Sequence, residues 1–147
     1  MYKGKGGSEG EFADTNFSSN VPNLKDCRDY LRAEYRAPYV LIGHSCGGAA
    51  VLAAAGDIKE VAGVVTIAAP ANPRHVCKQF IDHITTIETE GEALVRLSGR
   101  PFTIKKQFLD DLALQNHDEK IKKLNTPLWI FTSPLDKTCP LYSTGPA

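Results

Sequence analysis

The 147-residue sequence has no excess of either charge, with 17 lysines and arginines against 17 aspartates and glutamates. It lacks the positive field that grips a phosphate backbone, so nucleic acid is not an expected partner. The basic clusters at Lys105-Lys106 and Lys120 to Lys123 lie among acidic residues and read as solvated helix faces. No apolar stretch approaches the roughly 18 residues of a membrane span, and no membrane contact is expected. No C-x-x-C pair joins Cys27, Cys46, Cys77 and Cys139, and no Cys/His cluster has zinc-ligand spacing. Reduced, mostly buried thiols are expected, with neither metal nor other cofactor. There is no internal repeat. No apolar signal segment follows the lysines of Met1 to Gly7, so the expected compartment is the cytoplasm.

What remains is a globular composition, 42% apolar and 23% charged, at a length that one hydrophobic core serves. A single domain over residues 1–147 is expected. Residues 4–20 are rich in Gly, Ser and Asn and read as loop. From about Asn20, Val21, Leu24, Cys27, Leu31 and Tyr35 recur three or four apart, predicting a helix with one buried face, ended by Pro38. Three unbroken apolar runs follow: Tyr39–Ile42, Val61–Ala69 and Leu128–Phe131. Runs without alternation suit parallel strands covered on both faces. Between the first two, Cys46–Ala55 predicts a helix that Gly56 stops. Residues 71–126 form a long insertion. Its predicted parts are a short helix carrying Val76, Phe80 and Ile84, and a hairpin of Leu94–Leu97 against Phe102–Ile104. A helix from Lys105 to about Gln115 and a segment from Asp118 to Leu124 complete it. Alternating strands and helices predict an α/β architecture.

The chemistry-bearing stretch is Gly43-His44-Ser45-Cys46-Gly47-Gly48. It matches G-x-S-x-G, in which a serine sits on a sharp strand-to-helix turn. Such a turn strains the serine backbone and lifts its Oγ clear of the sheet. Glycines at 43 and 47 avoid crowding, and Gly48, Ala49 and Ala50 let the helix lie close to the strands. The N–H of Cys46, at the positive end of that helix, is a candidate oxyanion-hole donor.

A nucleophilic serine needs a base and an orienting acid, in chain order Ser, Asp/Glu, His for this type of turn. Asp136, past the third apolar run, falls on the rim shared with Ser45, because parallel strands gather their carboxyl ends on one side. It equally suits a turn carboxylate after Pro134. No histidine follows it. Of the four histidines, His44 is expected to point away from Ser45 and to serve packing or to support the reacting groups from behind. His75, in the loop leaving the second strand, is the candidate substitute base, with a structural or substrate-contact role as its other reading. His83 and His117 are expected on the surface or in a lid. Without a base, a serine hydroxyl is a poor nucleophile near neutral pH. Two readings follow, a hydrolase acting through Ser45 and a catalytically incomplete domain that keeps only the turn. A third makes Cys46 a redox thiol, its pKa lowered by the helix N-terminus.

Several segments together resemble a known family. Tyr39 to Gly48 is similar to the α/β-hydrolase superfamily. Gly6–Phe12, Thr66–Ala71, Gly99–Phe108 and Ser133–Asp136 narrow the likeness to bacterial serine hydrolases that occur alone or fused to an OsmC-like domain. The resemblance implies Ser45 as nucleophile, Asp136 as triad acid, a small-molecule ester or acyl substrate, and residues 71–126 as a lid. In that family further strands precede the elbow strand and a histidine follows the acid; neither has a counterpart here. The expected fold class is therefore α/β, a partial α/β-hydrolase fold with a mostly parallel sheet, flanking helices and a lid-like insertion. Open strand edges pair with other chains, so self-association is expected.

Overall fold

The computed structural model describes residues 7–97, 99–136 and 138–139. In chain order its elements are α1 (Phe17–Glu34), β1 (Val40–His44), α2 (Cys46–Ala55), β2 (Gly63–Ile67), α3 (Ile84–Glu90) and β3 (Glu92–Leu97), followed by β4 (Arg100–Lys105), α4 (Lys106–Ala113), α5 (His117–Lys122) and β5 (Leu128–Phe131). Short 3-10 segments cover Phe12–Asp14 and Pro73–His83.

The apolar runs form a parallel sheet in the order β1-β2-β5. Its rungs place Ile42 beside Val65 and Val65 beside Trp129, then His44 beside Ile67 and Ile67 beside Phe131. Helix α2 is apolar on every side, which is the signature of a helix with no solvent face, and Gly48 to Ala55 are all buried. One side of it joins Val64, Leu41 and Leu128 of the sheet, with Ile58 and Val61. Its other side, through Ala49, Ala50 and Ala53, meets Phe17 of α1 and the insertion's Val76, Phe80, Ile87, Val95, Ile104, Phe108 and Leu112. The α2 helix therefore lies between the sheet and the insertion. The opposite sheet face is bare: Ile42 is 65% exposed, Trp129 67% and Phe131 57%.

The predicted hairpin forms as β3 against β4, antiparallel, with Gly99 at φ 79 in its turn. Left-handed backbone of this kind favours glycine. The first helix starts earlier than its apolar period suggests. Asn16 caps it, accepting from the Ser19 N–H at 2.7 Å while the Asn16 N–H donates to Ser19 Oγ at 3.3 Å. This reciprocal cap satisfies two N–H groups ahead of the apolar stripe. Pro22 consequently lies inside α1. Cys27 and Tyr35, expected on the buried face, are exposed; Arg28 is half-buried instead and meets Asp29 at 2.9 Å and Glu60 at 3.5 Å. Nor are the other cysteines fully buried. Residues 73–83 are 3-10 rather than α, with a kink at Phe80, whose backbone is non-helical at φ −139 and whose side chain is buried. Gly56 ends α2 in right-handed backbone, so the expected left-handed glycine stop belongs to Gly91 after α3, at φ 88.

His117, expected on the surface, is only 3% exposed, with its ring centroid 5.1 Å from that of Phe17. Neither ring nitrogen has a hydrogen-bond partner among the described residues. Burial, reinforced by the Lys120 charge and opposed by Asp118, lowers its pKa from 6.5 to about 4. A His held neutral in the fold contributes stability present above its unfolded pKa and lost as pH falls towards the folded value. Chemical denaturation is therefore expected to show stability declining between pH 6.5 and 4, by about 3 kcal/mol over the full shift. His117→Phe is expected to flatten that slope; an unchanged slope contradicts this account.

Candidate active site

Ser45 is the single residue between β1 and α2. It sits at φ 53, ψ −128, a left-handed conformation costing a non-glycine residue about 1–3 kcal/mol. Three hydrogen bonds hold it there. Its N–H donates to the Ile67 carbonyl at 2.9 Å, extending the β1–β2 ladder by one residue, and its carbonyl accepts from Gly48 at 2.8 Å and Ala49 at 3.3 Å, opening α2.

The glycines make this turn possible. A Cβ on Gly43 would lie 2.4 Å from the Gly47 carbonyl oxygen and 2.5 Å from the Gly48 Cα. On Gly48 it would lie 2.4 Å from the Ala69 Cβ. Ala68, just before, also takes positive φ, 47, while donating to the Phe131 carbonyl at 2.8 Å. The edge strand β1 and the central strand β2 thus both bend sharply where they leave the sheet, on one rim.

Over the turn lies a cavity of about 600 Å³. His44, Ser45, Cys46 and Gly47 line one part of it; Val76, Phe80, Phe102 and Phe108 supply an apolar wall from the insertion. The polar lining residues outside the turn are Thr15, Asn20, Gln79 and Arg100, and no aspartate or glutamate is among them. The cavity has the size and mostly apolar character of small-molecule sites.

Asp136 lies five residues past β5 and is half-buried. Its Oδ1 accepts from the Thr138 N–H at 2.8 Å and the Cys139 N–H at 3.0 Å. These bonds, Cys139's first, hold the carboxyl below its ordinary value; desolvation opposes them and the His44 charge assists. His75 is half-buried, its N–H bonded to the Asn72 carbonyl at 3.0 Å. Neither Asp136 nor His75 lines the cavity.

His44 differs from expectation. It is exposed, lines the cavity beside Ser45, and is the imidazole whose charge acts on Asp136. Strand alternation fails as a guide here because the backbone bends at the next residue. Asn20 and Arg100 were also passed over, Asn20 as loop and Arg100 as hairpin. Only the packing of α1 and β4 against the elbow brings them to one cavity. Among the described residues no group of His, Cys, Asp and Glu could hold a metal ion, and no helix is long and apolar enough to cross a membrane.

These features coincide with the comparisons to known proteins. The model of the alpha/beta hydrolase family matches residues 6–143, and the chain belongs to that family. Among solved structures, the esterase domain of a Rhodothermus marinus protein is 43% identical, over 88% of this chain and 52% of that one, with a TM-score of 0.64. Est1E from Butyrivibrio proteoclasticus, solved with ferulic acid bound, is 20% identical over 96% of this chain and 57% of that one, with a TM-score of 0.72. The second likeness concerns the fold. The chain spans about half the length of these solved relatives. A search of curated proteins finds no match.

Proposed function

We propose that this chain carries the acyl-transfer centre of a serine hydrolase, with Ser45 as nucleophile acting on a small-molecule ester. The observation that carries this reading is the backbone of Ser45, at φ 53 and ψ −128 on the wall of an apolar cavity. Such strain is kept where surrounding structure enforces it, and here it presents a hydroxyl to a ligand-sized space. The likeness to the esterase domain of the Rhodothermus marinus protein, 43% identical, supports an ester as substrate.

In the proposed reaction Ser45 Oγ attacks the ester carbonyl carbon while its proton passes to an imidazole. The tetrahedral oxyanion is met by the backbone N–H of Cys46 at the start of α2. Collapse breaks the bond to the alkoxy oxygen, which leaves as alcohol with that proton. Water then cleaves the acyl-serine. Asp136 is the proposed acid. Of the two candidate bases, His44 is favoured over His75, since it lines the cavity and its charge reaches Asp136. Residues 71–126 supply the acyl wall and are the proposed lid.

Mixing with 4-nitrophenyl butyrate tests this. The expected result is a burst of nitrophenol with butyryl mass on the peptide containing Ser45. His44→Ala is expected to suppress the burst by at least about tenfold, and His75→Ala to leave it within about twofold; the reverse order transfers the role to His75. A folded chain that never acylates supports the alternative, a domain lacking its general base.

We also propose that copies associate through the bare sheet face, where Ile42 and Trp129 occupy one rung. Exposed apolar patches of this kind mark contact surfaces. Sedimentation is expected to show concentration-dependent oligomers, shifted towards monomer by Ile42→Lys with Trp129→Lys. Cysteines without disulfides fit a reducing compartment, and the cytoplasm is the proposed location.

A further inference from the structure

The cavity's polar residues are unevenly balanced in charge. Among the described residues, Arg100 is its one arginine, and no lysine, aspartate or glutamate lines it. Three cations of the neighbouring elements are engaged: Lys105 meets Asp14 at 2.7 Å, Lys106 meets Asp110 at 2.7 Å, and Arg96 donates to the Gly99 carbonyl at 3.4 Å. Arg100 is exposed at the edge of the cavity, and its guanidinium has no ion-pair or hydrogen-bond partner among the described residues. It stands at the first residue of β4, opposite Leu97 in the ladder, and both residues line the cavity.

A second polar group points the same way. Asn20, on α1, is only 8% exposed, yet its side-chain amide has no hydrogen-bond partner among the described residues, and it too lines the cavity. Because the residue lines the cavity, a ligand or water there can complete the amide's hydrogen bonds. The cavity is therefore built for a ligand that is largely apolar, to suit the phenylalanine wall, but carries polar atoms as well.

We propose that this acyl site selects acids bearing an anionic group remote from the scissile carbonyl, paired with the Arg100 guanidinium. The inference rests on the serine-hydrolase reading for the position of the carbonyl. A guanidinium binds carboxylates through paired, charge-assisted hydrogen bonds, and the lack of acidic lining residues leaves that charge to the ligand. Substrates of this class are half-esters of dicarboxylic acids, including esters of arylalkanoic acids that carry a ring carboxylate.

Two ketones that cannot be hydrolysed separate this inference from the reading beneath it. They are 4-(3-oxobutyl)benzoate, anionic at pH 7.5 (about three pH units above its carboxyl pKa), and the neutral 4-(4-methylphenyl)butan-2-one. Calorimetric titration of the full chain is expected to show the anionic ketone binding at least about tenfold tighter. Added salt is expected to narrow that ratio. Arg100→Met is expected to bring the two within about twofold, with its thermal melt confirming an intact fold. Equal binding of both ketones, no binding of either at millimolar concentration, or a preference that survives Arg100→Met each overturns the inference. Fluorophosphonate labelling of the same samples reports separately on Ser45. Labelling without anion preference removes only the ligand class; anion preference without labelling removes only the nucleophile.

Discussion

Replacing Ser45 by alanine is expected to lower the rate of ester hydrolysis by at least about a thousandfold, because a nucleophile's loss cannot be offset by the groups that serve it. The fold should survive. Alanine removes one oxygen that lines a cavity, and the three hydrogen bonds at residue 45 all use backbone atoms, the 2.9 Å bond to Ile67 among them. Loss of turnover with an unchanged melting curve is thus the expected pair of results. Ser45→Gly sharpens the comparison, since glycine adopts φ 53 without steric cost. It is expected to be equally inactive and no less stable than the alanine variant. Residual turnover within about tenfold of wild type in Ser45→Ala would mean that hydrolysis occurs elsewhere.

The second large effect concerns folding. Gly43→Ala would force a methyl to within 2.4 Å of the Gly47 carbonyl and 2.5 Å of the Gly48 Cα, and both are backbone atoms of the elbow itself. Flexible side chains can swing aside from such a clash; a turn pinned by the β1–β2 ladder and the first bonds of α2 cannot. The expected cost is about 3 kcal/mol or more, comparable to severe overpacking of a core. Gly56→Ala is the control. It lies at the end of α2 in right-handed backbone at φ −63, with nothing within 4 Å of a Cβ. That substitution is expected to be neutral or to stabilise by up to about 1 kcal/mol. Thermal unfolding followed by circular dichroism distinguishes the two, and similar melting of both variants would contradict the steric account of the elbow.

The elbow and its sheet were legible in the sequence because local chemistry dictates them. Val40–Ile42 and Leu128–Phe131 are apolar without alternation, and a glycine-flanked serine between a strand and an all-small helix has few conformations open to it. The hairpin was legible for the same reason, with Gly99 marking its turn. The parts that escaped depend on contacts distant in the chain. His117 stands beside Asp118, Glu119 and Lys120, which makes it look solvated, and only the packing of Phe17 shows it as a core residue. Asn20 reads as the polar end of a loop until α1 is seen to begin at Phe17 and turn that amide towards the elbow. His44 follows no simple alternation because the strand ends in a bend at the next residue. The distribution of covered and bare sheet surface is likewise a tertiary fact. An apolar strand run implies two covered faces, whereas α2 covers one and Ile42, Trp129 and Phe131 remain open on the other.

Asp136 links the turn to the site's electrostatics. Two backbone N–H groups hold its carboxyl below the ordinary range, with the His44 charge contributing further. The carboxylate therefore persists through mildly acidic pH. An imidazole base takes up protons before a carboxylate does, so hydrolysis is expected to fall on acidification while Asp136 stays ionised. Asp136→Asn keeps an oxygen that can accept both N–H bonds but removes the charge. It is expected to reduce turnover by about a hundredfold or more while leaving the melt nearly unchanged. A pH–rate profile that follows a carboxylate alone would argue against an imidazole base.

The most direct measurement is covalent labelling of the purified chain with a fluorophosphonate, followed by peptide mass spectrometry. The account predicts one phosphonyl adduct on the peptide spanning Gly43 to Gly48, located at Ser45 and absent from Ser45→Ala. A folded chain that takes up no label, or takes it up at another residue, contradicts the assignment of Ser45 as nucleophile.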